Sequence, residues 1–355
     1  MNICFLLPSL ARKGPNVVAH DIISFGVKNG YFKRVSVLYF NDYDGVCLNF
    51  RILNNVELIK IDFSSKIDFD SFDIVHSHML KPDFFIFFFR LKNFFACRRS
   101  RCKFVTTLHQ KDFINLQYDY NSKLKAIVVS LLWRVILVAQ TKVVCLSKSM
   151  LNYYSHKVMN SNLTYIYNGR GQVETRRVID QPSGHYFKLG SACLLTKRKG
   201  IEQVIKVLPC LPNVQFLVAG IGPELENLKR LSVDLGVNDQ VEFLGFVEDT
   251  PSFLRNLDAF ILPSRGEGFP LAIIEAASYA LPIIASNIDV VLEAFDDDDI
   301  AIFELDSLDS LLNAIKKVID NRQFFSDKIH FKYEREFTQK AMFEKYYDLY
   351  KALSN

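Results

Sequence analysis

Two glutamates that stand eight residues apart, Glu267 and Glu275, lie within residues 263–282, PSRGEGFPLAIIEAASYALP. An apolar segment, AFILPS, leads into this stretch as a strand, and Pro270 suits the first position of a helix. A strand that ends in a glycine-containing loop and then opens a helix directs backbone N–H groups toward an anion. Carboxylates beside such a loop suit the hydroxyl groups of a sugar and a ribose, so the spacing favours a sugar-nucleotide site. An ordinary strand–turn–helix unit with two solvated glutamates would show the same spacing.

The composition is that of a globular protein. The chain has 355 residues, of which 49% are apolar and 23% charged, so it is long enough for two domains and is not intrinsically disordered. No uninterrupted apolar run reaches the roughly 18 residues of a membrane-spanning helix. The N-terminal segment MNICFLLPSL lacks the basic region of a signal peptide and is expected to be a buried strand. Seven scattered cysteines without metal-like pairing favour a reducing cytoplasm.

Charge is distributed unevenly along the chain. Residues 1–170 hold 23 Lys and Arg against 11 Asp and Glu, and the rest holds 20 against 28, so the formal charges are +12 and −8. A basic first half indicates an anionic partner such as a membrane surface, although solvated surface charge would produce the same skew. Nucleic acid is disfavoured as the partner, because the basic residues lie among phenylalanines and no nucleic-acid-binding module is recognisable.

Short apolar segments alternate with helical patterns throughout the chain. In the first half, strands are predicted within NICFLLPSL, RVSVLYF, VELIKI, FDIVHSHM, KFVTTLHQ and TKVVCLSKSM. This alternation predicts an α/β fold with parallel sheets covered on both faces. His78 and His109 would then lie just beyond the carboxyl ends of strands, where such sheets bind ligands. Each histidine could instead be a satisfied polar residue at a strand end.

Two apolar segments between these strands are unusual. Residues 81–103, KPDFFIFFFRLKNFFACRRSRCK, are rich in Phe and carry six Lys and Arg between Arg90 and Lys103. A helix that starts near Pro82 would be either a core helix with a basic exposed end or an interfacial segment that dips into an anionic leaflet. The second segment, AIVVSLLWRVILVA, is interrupted by Arg134 and is expected to be a buried helix.

A polar and turn-rich stretch at residues 168–184 predicts a domain boundary, because the alternation of strands and helices starts again after it. We therefore expect a first Rossmann-like domain at residues 1–175 and a second at residues 176–335. Residues 336–355 are expected to form a C-terminal helix that packs back on the first domain. Two successive domains of this kind imply a ligand cleft between them.

Three segments of the second half together resemble one protein family. LLTKRKGIEQVIKVL, VQFLVAGIGPELENLKRLSVDLGVNDQVEFLGFVED and LDAFILPSRGEGFPLAIIEAASYALPIIAS are similar to the signature of the retaining family 4 glycosyltransferases, of the bacterial surface-polysaccharide type. The first half matches more loosely, through Gly14, His78, TTLHQ, CLSKSM and YNG. The resemblance implies the GT-B fold, in which an acceptor-binding and a sugar-nucleotide-binding Rossmann-like domain face each other across a cleft.

The resemblance also implies an activity. A hexosyltransferase of this family moves a sugar from a nucleotide diphosphate to a saccharide acceptor with retention of the anomeric configuration. The acceptor would be lipid-linked, as in polysaccharide or lipopolysaccharide biosynthesis, and the protein would be cytoplasmic and peripheral on the inner face of the cytoplasmic membrane. No cofactor or metal is expected for a member of this family.

The same resemblance implies roles for individual residues. Lys199, assisted by Arg198, would offset the charge of the leaving diphosphate. Glu267 would face the donor sugar near its reacting carbon as an electrostatic and positioning residue, and Glu275 would hydrogen-bond the ribose. His109 would contact the donor sugar or the acceptor and is the third catalytic candidate beside Glu267 and Lys199. The further donor-binding candidates are Gly14, Gly200, Gly222, Gly268, Phe269, Pro270 and Leu271.

A departure from the family pattern keeps a second function open. The arginine that usually precedes the lysine is replaced by Leu194, and Arg198 compensates only if its side chain points toward the same site. The alternative is therefore a catalytically inactive GT-B relative that binds a sugar nucleotide or a partner enzyme. An epimerase of the same architecture would lack the two-glutamate block. The Gly-Ile-Gly sequence at residues 220–222 lacks the third glycine of a dinucleotide site.

Overall fold

The computed structural model describes residues 1–42, 47–97, 100–120, 122–160, 162–171 and 186–354. The chain forms two compact units, which we call the N-unit (Met1–Gly171 with Gln339–Asn355) and the C-unit (Gln172–Thr338). The boundary predicted at residue 175 falls within residues 172–185, outside the described residues. Each unit is a parallel sheet with connecting helices, which confirms the predicted α/β class with two Rossmann-like domains.

Seven parallel strands form the sheet of the N-unit in the order β3-β2-β1-β4-β5-β6-β7. The strands are β1 (Asn2–Ser9), β2 (Arg34–Asn41), β3 (Val56–Lys60), β4 (Ile74–His78), β5 (Lys103–Thr107), β6 (Lys142–Cys145) and β7 (Leu163–Tyr165). The helices are α1 (Gly14–Lys28), α2 (Leu80–Phe95), α3 (Asp112–Tyr120), α4 (Lys123–Ile136) and α5 (Lys148–Ser155). Strand β4 is buried throughout, as a central strand of a sheet covered on both faces must be.

Six parallel strands form the sheet of the C-unit in the order β10-β9-β8-β11-β12-β13. The strands are β8 (Phe187–Ala192), β9 (Val214–Ala219), β10 (Val241–Gly245), β11 (Ala259–Leu262), β12 (Ile283–Ser286) and β13 (Ala301–Phe303). The helices are α6 (Ile201–Val207), α7 (Leu225–Asp234), α8 (Thr250–Arg255), α9 (Leu271–Ser278), α10 (Asp289–Ala294), α11 (Leu308–Asp320) and α12 (Arg322–Glu336). The strand order reverses direction at β8, between β9 and β11, which is where open parallel sheets place their ligands.

The last helix, α13 (Gln339–Ser354), belongs to the N-unit and packs against α1. Two buried tyrosine hydroxyls attach it to the sheet. The hydroxyl of Tyr350 lies 2.7 Å from Nδ1 of His76 on β4, and that of Tyr346 lies 3.0 Å from Oγ1 of Thr107 on β5. His76 Nε2 also lies 2.8 Å from the Thr107 hydroxyl, so the contacts form one buried chain of hydrogen bonds.

Helix α2, which overlaps residues 81–103, is buried in its first half and exposed in its second. Its first half is core, because Pro82, Phe85 and Ile86 are buried. Its second half is not, since the side chains of Phe94 and Phe95 are each 76% exposed. Of the basic residues expected at its end, Arg98 and Arg99 lie outside the described residues.

Helix α4 contradicts the prediction that residues 126–139 form a buried helix. Only the side that carries Ala126, Ser130, Trp133 and Ile136 is buried. The opposite side is exposed, and its side chains are Leu124, Ile127, Val128, Leu131, Leu132 and Val135. The prediction was wrong because α4 is apolar around most of its circumference, so the sequence does not show that one side lacks a neighbour. No described helix is both long and apolar enough to cross a membrane.

The attachment of α13 leads to a prediction. Tyr350→Phe removes the hydroxyl that lies against buried His76, and an unsatisfied buried polar atom costs about 1–3 kcal/mol. We expect the N-unit to lose about that free energy of unfolding in urea. The fluorescence of Trp133, which is the only tryptophan of the chain, reports this transition. Tyr347→Phe on the same helix, where the ring is only half-buried, should cost less than about 0.5 kcal/mol; equal losses in both variants would contradict the anchoring role.

Candidate functional site

The candidate site of the C-unit is built from the loops that follow β8, β9 and β11. Because these strands are parallel neighbours, their carboxyl ends meet at one edge of the sheet. The loop after β8 contains a 3₁₀ turn, Lys197–Lys199, and ends at Gly200. The loop after β11 contains Glu267 and leads into α9.

A close backbone contact holds the β8 and β11 loops together. Gly200 has φ +65°, and a Cβ atom there would lie 2.1 Å from the carbonyl oxygen of Pro263, so only glycine fits. The same carbonyl accepts a hydrogen bond of 3.0 Å from Nε2 of Gln203, and the N–H of Arg265 donates to the Arg198 carbonyl at 2.8 Å. The position of the lysine–arginine turn is therefore fixed relative to the glutamate loop.

This contact brings two cations to the carboxylate of Glu267. Lys199 Nζ donates to Glu267 Oε1 at 2.6 Å, and Arg198 Nη1 lies 3.6 Å from Oε2 while it donates to the Gly266 carbonyl at 2.7 Å. Burial alone would raise the pKa of Glu267, but the charges of Lys199 and Arg198 outweigh burial and lower it below its ordinary value. Glu267 is therefore an anion held between two cations.

The placement of Arg198 answers a question that the sequence left open. Its guanidinium points toward Glu267, and so supplies a second positive charge at the same carboxylate as Lys199. Leu194, which stands where the family usually has arginine, is 58% exposed. Among the described residues, Arg198 Nε and Thr196 Oγ1 are buried without a hydrogen-bond partner. Unpaired donors beside two cations suit an anionic ligand.

The remaining predicted residues of the C-unit lie on the same loops. Gly268, Phe269 and Pro270 are buried in the turn, and α9 begins at Leu271, one residue later than expected, with Pro270 in extended conformation before it. Glu275 lies on the second turn of α9 and is half-buried. The N-terminus of α9 thus opens directly after the glutamate loop, where a helix favours an anion.

Gly222 has a clear structural reason to be glycine. A Cβ atom there would lie 2.3 Å from the carbonyl oxygen of Leu195, so the turn after β9 must approach the β8 loop closely. The N–H of Leu195 donates to the Ile221 carbonyl at 2.9 Å, and the N–H of Glu224 donates to the Leu195 carbonyl at 3.1 Å. Gly222 therefore positions the loop that carries the cations.

Two residues that support the site were missed from the sequence. Arg265 Nη2 bridges Glu202 at 2.7 Å and Asp306 at 2.5 Å, and its Nη1 donates to the Lys197 carbonyl at 2.8 Å. Buried Gln203 donates to Pro263 and accepts from the N–H of Asp306 at 2.9 Å. The sequence signal for Gln203 was a single amide within the otherwise apolar helix IEQVIKVL. Its partners, Pro263 and Asp306, lie far away in sequence.

Two of the predicted residues of the N-unit, His78 and His109, lie together at the carboxyl ends of β4 and β5. His78 Nδ1 and His109 Nε2 lie 2.8 Å apart, so one of them donates a hydrogen bond to the other. Burial lowers the pKa of His109 to about 3, and burial with the charge of His109 lowers that of His76 to about 3. These histidines are neutral at physiological pH. Gly14 is the exposed first residue of α1.

No group of three or more His, Cys, Asp or Glu side chains in the described part of the chain is arranged to hold a metal ion. In the C-unit, a recessed carboxylate lies against two cations. Such a cluster, at a helix N-terminus and a glycine turn, can bind a phosphorylated ligand and orient its hydroxyl groups.

Comparison with known proteins bears on the family of the chain. Two family models match the chain: Glycosyltransferase Family 4 over residues 10–170 and Glycosyl transferases group 1 over residues 179–341. The chain is 31% identical to the O-antigen biosynthesis glycosyltransferase WclY of Escherichia coli, over 99% of each chain. It is 37% identical over 32% of its length to an E. coli UDP-Gal:alpha-D-GlcNAc-diphosphoundecaprenol alpha-1,3-galactosyltransferase, of which 30% is covered.

A solved structure shares the fold over the whole chain. Anabaena Alr3699/HepE in complex with UDP and glucose superposes with a TM-score of 0.76 at 18% identity, covering 99% of this chain and 100% of that one. The order of elements in both units is therefore that of known GT-B structures.

Gly200 can be tested against a matched glycine. Gly200→Ala combines a left-handed φ with the clash against Pro263, whereas Gly236→Ala has the same φ, +66°, and open space around the new methyl group. We expect Gly236→Ala to cost about 1–2 kcal/mol of unfolding free energy and Gly200→Ala about 1–3 kcal/mol more. Urea unfolding followed by circular dichroism measures both. Equal costs would show that the loop contact with Pro263 is not tight.

The buried histidines predict a loss of stability in acid. Burial also lowers the pKa of His78 well below its ordinary value, so the unfolded chain binds protons that the folded chain does not. The contribution of the buried histidines His76, His78 and His109 to the free energy of unfolding is fully present above about pH 6.5. It falls as the pH drops below that value, by up to about 1.4 kcal/mol per pH unit for each histidine. Asp83, whose pKa burial raises to about 6, acts in the opposite direction below that pH.

A variant separates these contributions. His78→Asn should remove the share of one histidine from the fall in N-unit stability between pH 7 and pH 5.5, measured by urea unfolding with Trp133 fluorescence. His156→Asn, at an exposed position, should leave the pH dependence as it is. An unchanged dependence in His78→Asn would mean that folding does not lower the pKa of His78, so that the folded and unfolded chains bind the same number of protons there.

Proposed function

The chain belongs to the GT-B glycosyltransferases, and from this premise we propose that it transfers a hexose from a nucleoside diphosphate to a saccharide acceptor with retention of configuration. The observation that carries the proposal is the carboxylate of Glu267 held by Lys199 and Arg198 beside the N-terminus of α9. This arrangement offers positive charge for a diphosphate and an anionic group for the sugar within one set of loops.

In the proposed complex the diphosphate takes the place of Glu267 as a partner of the two cations. Lys199 and Arg198 neutralise the charge that develops on the leaving phosphate. Backbone N–H groups of Gly268, Phe269 and Leu271 approach the donor at the start of α9, and Glu275, one turn further along, accepts hydrogen bonds from the ribose hydroxyl groups. The positive charge of two side chains makes a metal ion unnecessary in this proposal.

The proposed reaction takes place on one face of the donor sugar. The bond between the anomeric carbon and the diphosphate oxygen breaks, and the acceptor oxygen forms a bond to the same carbon from the same side. The acceptor proton passes to the leaving phosphate oxygen, so no additional base is needed. Glu267 stabilises positive charge on the sugar ring during this step, which suits a carboxylate with a lowered pKa.

We further propose a UDP-sugar as donor and a lipid-linked saccharide as acceptor. The support is the partial relative from E. coli, which is described as acting on a UDP-sugar and a diphosphoundecaprenol-linked saccharide, and the structural relative with bound UDP. With such an acceptor, we propose that the protein works at the inner face of the cytoplasmic membrane in polysaccharide biosynthesis, as the description of WclY as an O-antigen biosynthesis glycosyltransferase supports.

The cation pair gives the central test. A thermal-shift panel of nucleoside diphosphates and their sugars identifies the donor, since a ligand at 100 times its Kd stabilises the native state by about 2.7 kcal/mol. Lys199→Ala and Glu267→Gln should then each lower kcat by about 100-fold or more, because both groups act on developing charge. In Lys199→Ala the thermal shift by the diphosphate should also disappear.

Lys197→Ala is the matched control, because this exposed lysine lies two residues away and its carbonyl, which Arg265 uses, remains. Its turnover should be within about twofold of the unmodified protein. Product formed early in the reaction should show the donor's anomeric configuration by NMR, with or without EDTA. An inverted product refutes retention, and a protein that binds a donor without turnover supports the inactive relative instead.

A further inference from the structure

Helix α4 presents an apolar face to solvent. Leu124, Val128, Leu131 and Val135 recur at intervals of four, three and four residues, so they form one stripe along the helix. Ile127 and Leu132 widen it to roughly 140° of the circumference. Leu124 is 72% exposed. We call these six exposed side chains the α4 face.

The orientation of α4 is fixed by its other side. Trp133 Nε1 donates to Asp83 of α2 at 2.9 Å, and Arg134 forms two hydrogen bonds with Asp112 of α3, at 2.6 and 2.9 Å. The first turn is capped by Ser122. The α4 face therefore points outward because polar groups of its two neighbours hold the opposite side, and it cannot turn inward without breaking them.

Basic residues border the α4 face. At 100° per residue, Lys125 falls on one edge of the stripe and Lys123 falls on the other. Lysines at such edges can lay their stems along an apolar layer while the ammonium groups reach anionic headgroups. The surrounding sequence adds to this charge, since residues 84–111 and 120–173 contain 14 Lys and Arg and no Asp or Glu.

The neighbouring helix α2 adds exposed aromatic residues. Phe88 and Phe95 stand seven residues apart and so share one side of α2, and both are exposed. Helix α2 lies beside α4, joined to it through Asp83 and Trp133. A helix that exposes an apolar face with basic edges is typical of proteins that lie on a membrane surface.

We propose that the α4 face docks the N-unit on an anionic lipid bilayer. A second copy of the chain is disfavoured as the occupant, because two α4 faces would bring two basic surfaces together. An anionic leaflet instead matches both the apolar stripe and the charge at its edges. The inference rests on the proposed function only in that a lipid-linked acceptor gives the docking its purpose.

The test compares two triple variants of the full chain. Leu124→Gln/Val128→Gln/Val135→Gln replaces three apolar side chains of the stripe by glutamine, a residue that still favours helix. Val233→Gln/Leu292→Gln/Phe331→Gln changes three similarly exposed side chains of the C-unit. Co-sedimentation with phosphatidylglycerol-containing vesicles should show at least about tenfold weaker binding for the first variant and no change for the second. Replacing phosphatidylglycerol by phosphatidylcholine should also weaken binding, and so should the variant Lys123→Gln/Lys125→Gln. The loss of binding caused by this variant should become smaller at high salt.

Further measurements distinguish the possible failures. Equal vesicle binding by the α4 variant and the unmodified protein overturns the proposal. A dimer in light scattering that the α4 variant abolishes also overturns it, in favour of self-association. The thermal shift of the α4 variant by the donor diphosphate should be unchanged, and its loss would mean that the stripe serves folding. If the unmodified protein binds vesicles yet transfers no sugar, the proposed function fails and the docking stands.

Discussion

Burial of one carboxylate determines much of the arrangement of the C-unit. A carboxylate removed from water has to be protonated or paired, and Glu267 is paired, with Lys199 at 2.6 Å and Arg198 at 3.6 Å. That pairing requires the loops after β8 and β11 to touch, which in turn requires β8 and β11 to be neighbours in the sheet and residue 200 to be glycine. The clamp of Gln203 and Arg265 holds the same two loops from the other side. The strand order, the glycine at residue 200 and the polar contacts of Gln203 and Arg265 are thus all needed to hold one anion between two cations.

The elements around Glu267 could be predicted from the sequence because their determinants are local. The strand before Glu267, the turn and the helix α9 follow from period, glycine and proline within 20 residues, whereas Lys199 and Gly200 were singled out only by the resemblance to a family. The direction of the Arg198 side chain could not be predicted, because it depends on a hydrogen bond to the carbonyl of Gly266, which lies 68 residues further along the chain. Gln203 and Arg265 were missed for the same reason, since their partners are defined only by the strand order.

Helix α4 shows the opposite limit. A helix that is apolar on nearly every side is compatible with full burial, and the sequence of α4 holds no pattern that distinguishes its two sides. The difference arises from single polar contacts: Trp133 to Asp83 and Arg134 to Asp112 select the inward side. In the N-unit generally, the sequence predicted which residues lie at the ends of strands, but not which side chains contact one another. His78 and His109 were expected at strand ends, but their hydrogen bond follows from the adjacency of β4 and β5.

The charge asymmetry of the chain becomes intelligible when each unit is considered with its own ligand. In the C-unit a few positive charges suffice, because Lys199 and Arg198 are recessed beside a glycine turn and act at short range, where solvent screens them little. An extended anionic surface makes a different demand, since each basic residue contributes weakly and many are needed along the contact. Residues 84–111 and 120–173, which include α4, contain Lys and Arg but no Asp or Glu, so no nearby carboxylate in these segments offsets their positive charge. Under the two proposals, the formal charges of +12 and −8 correspond to two modes of anion binding, one by a few recessed contacts and one by a broad basic border around an apolar helix.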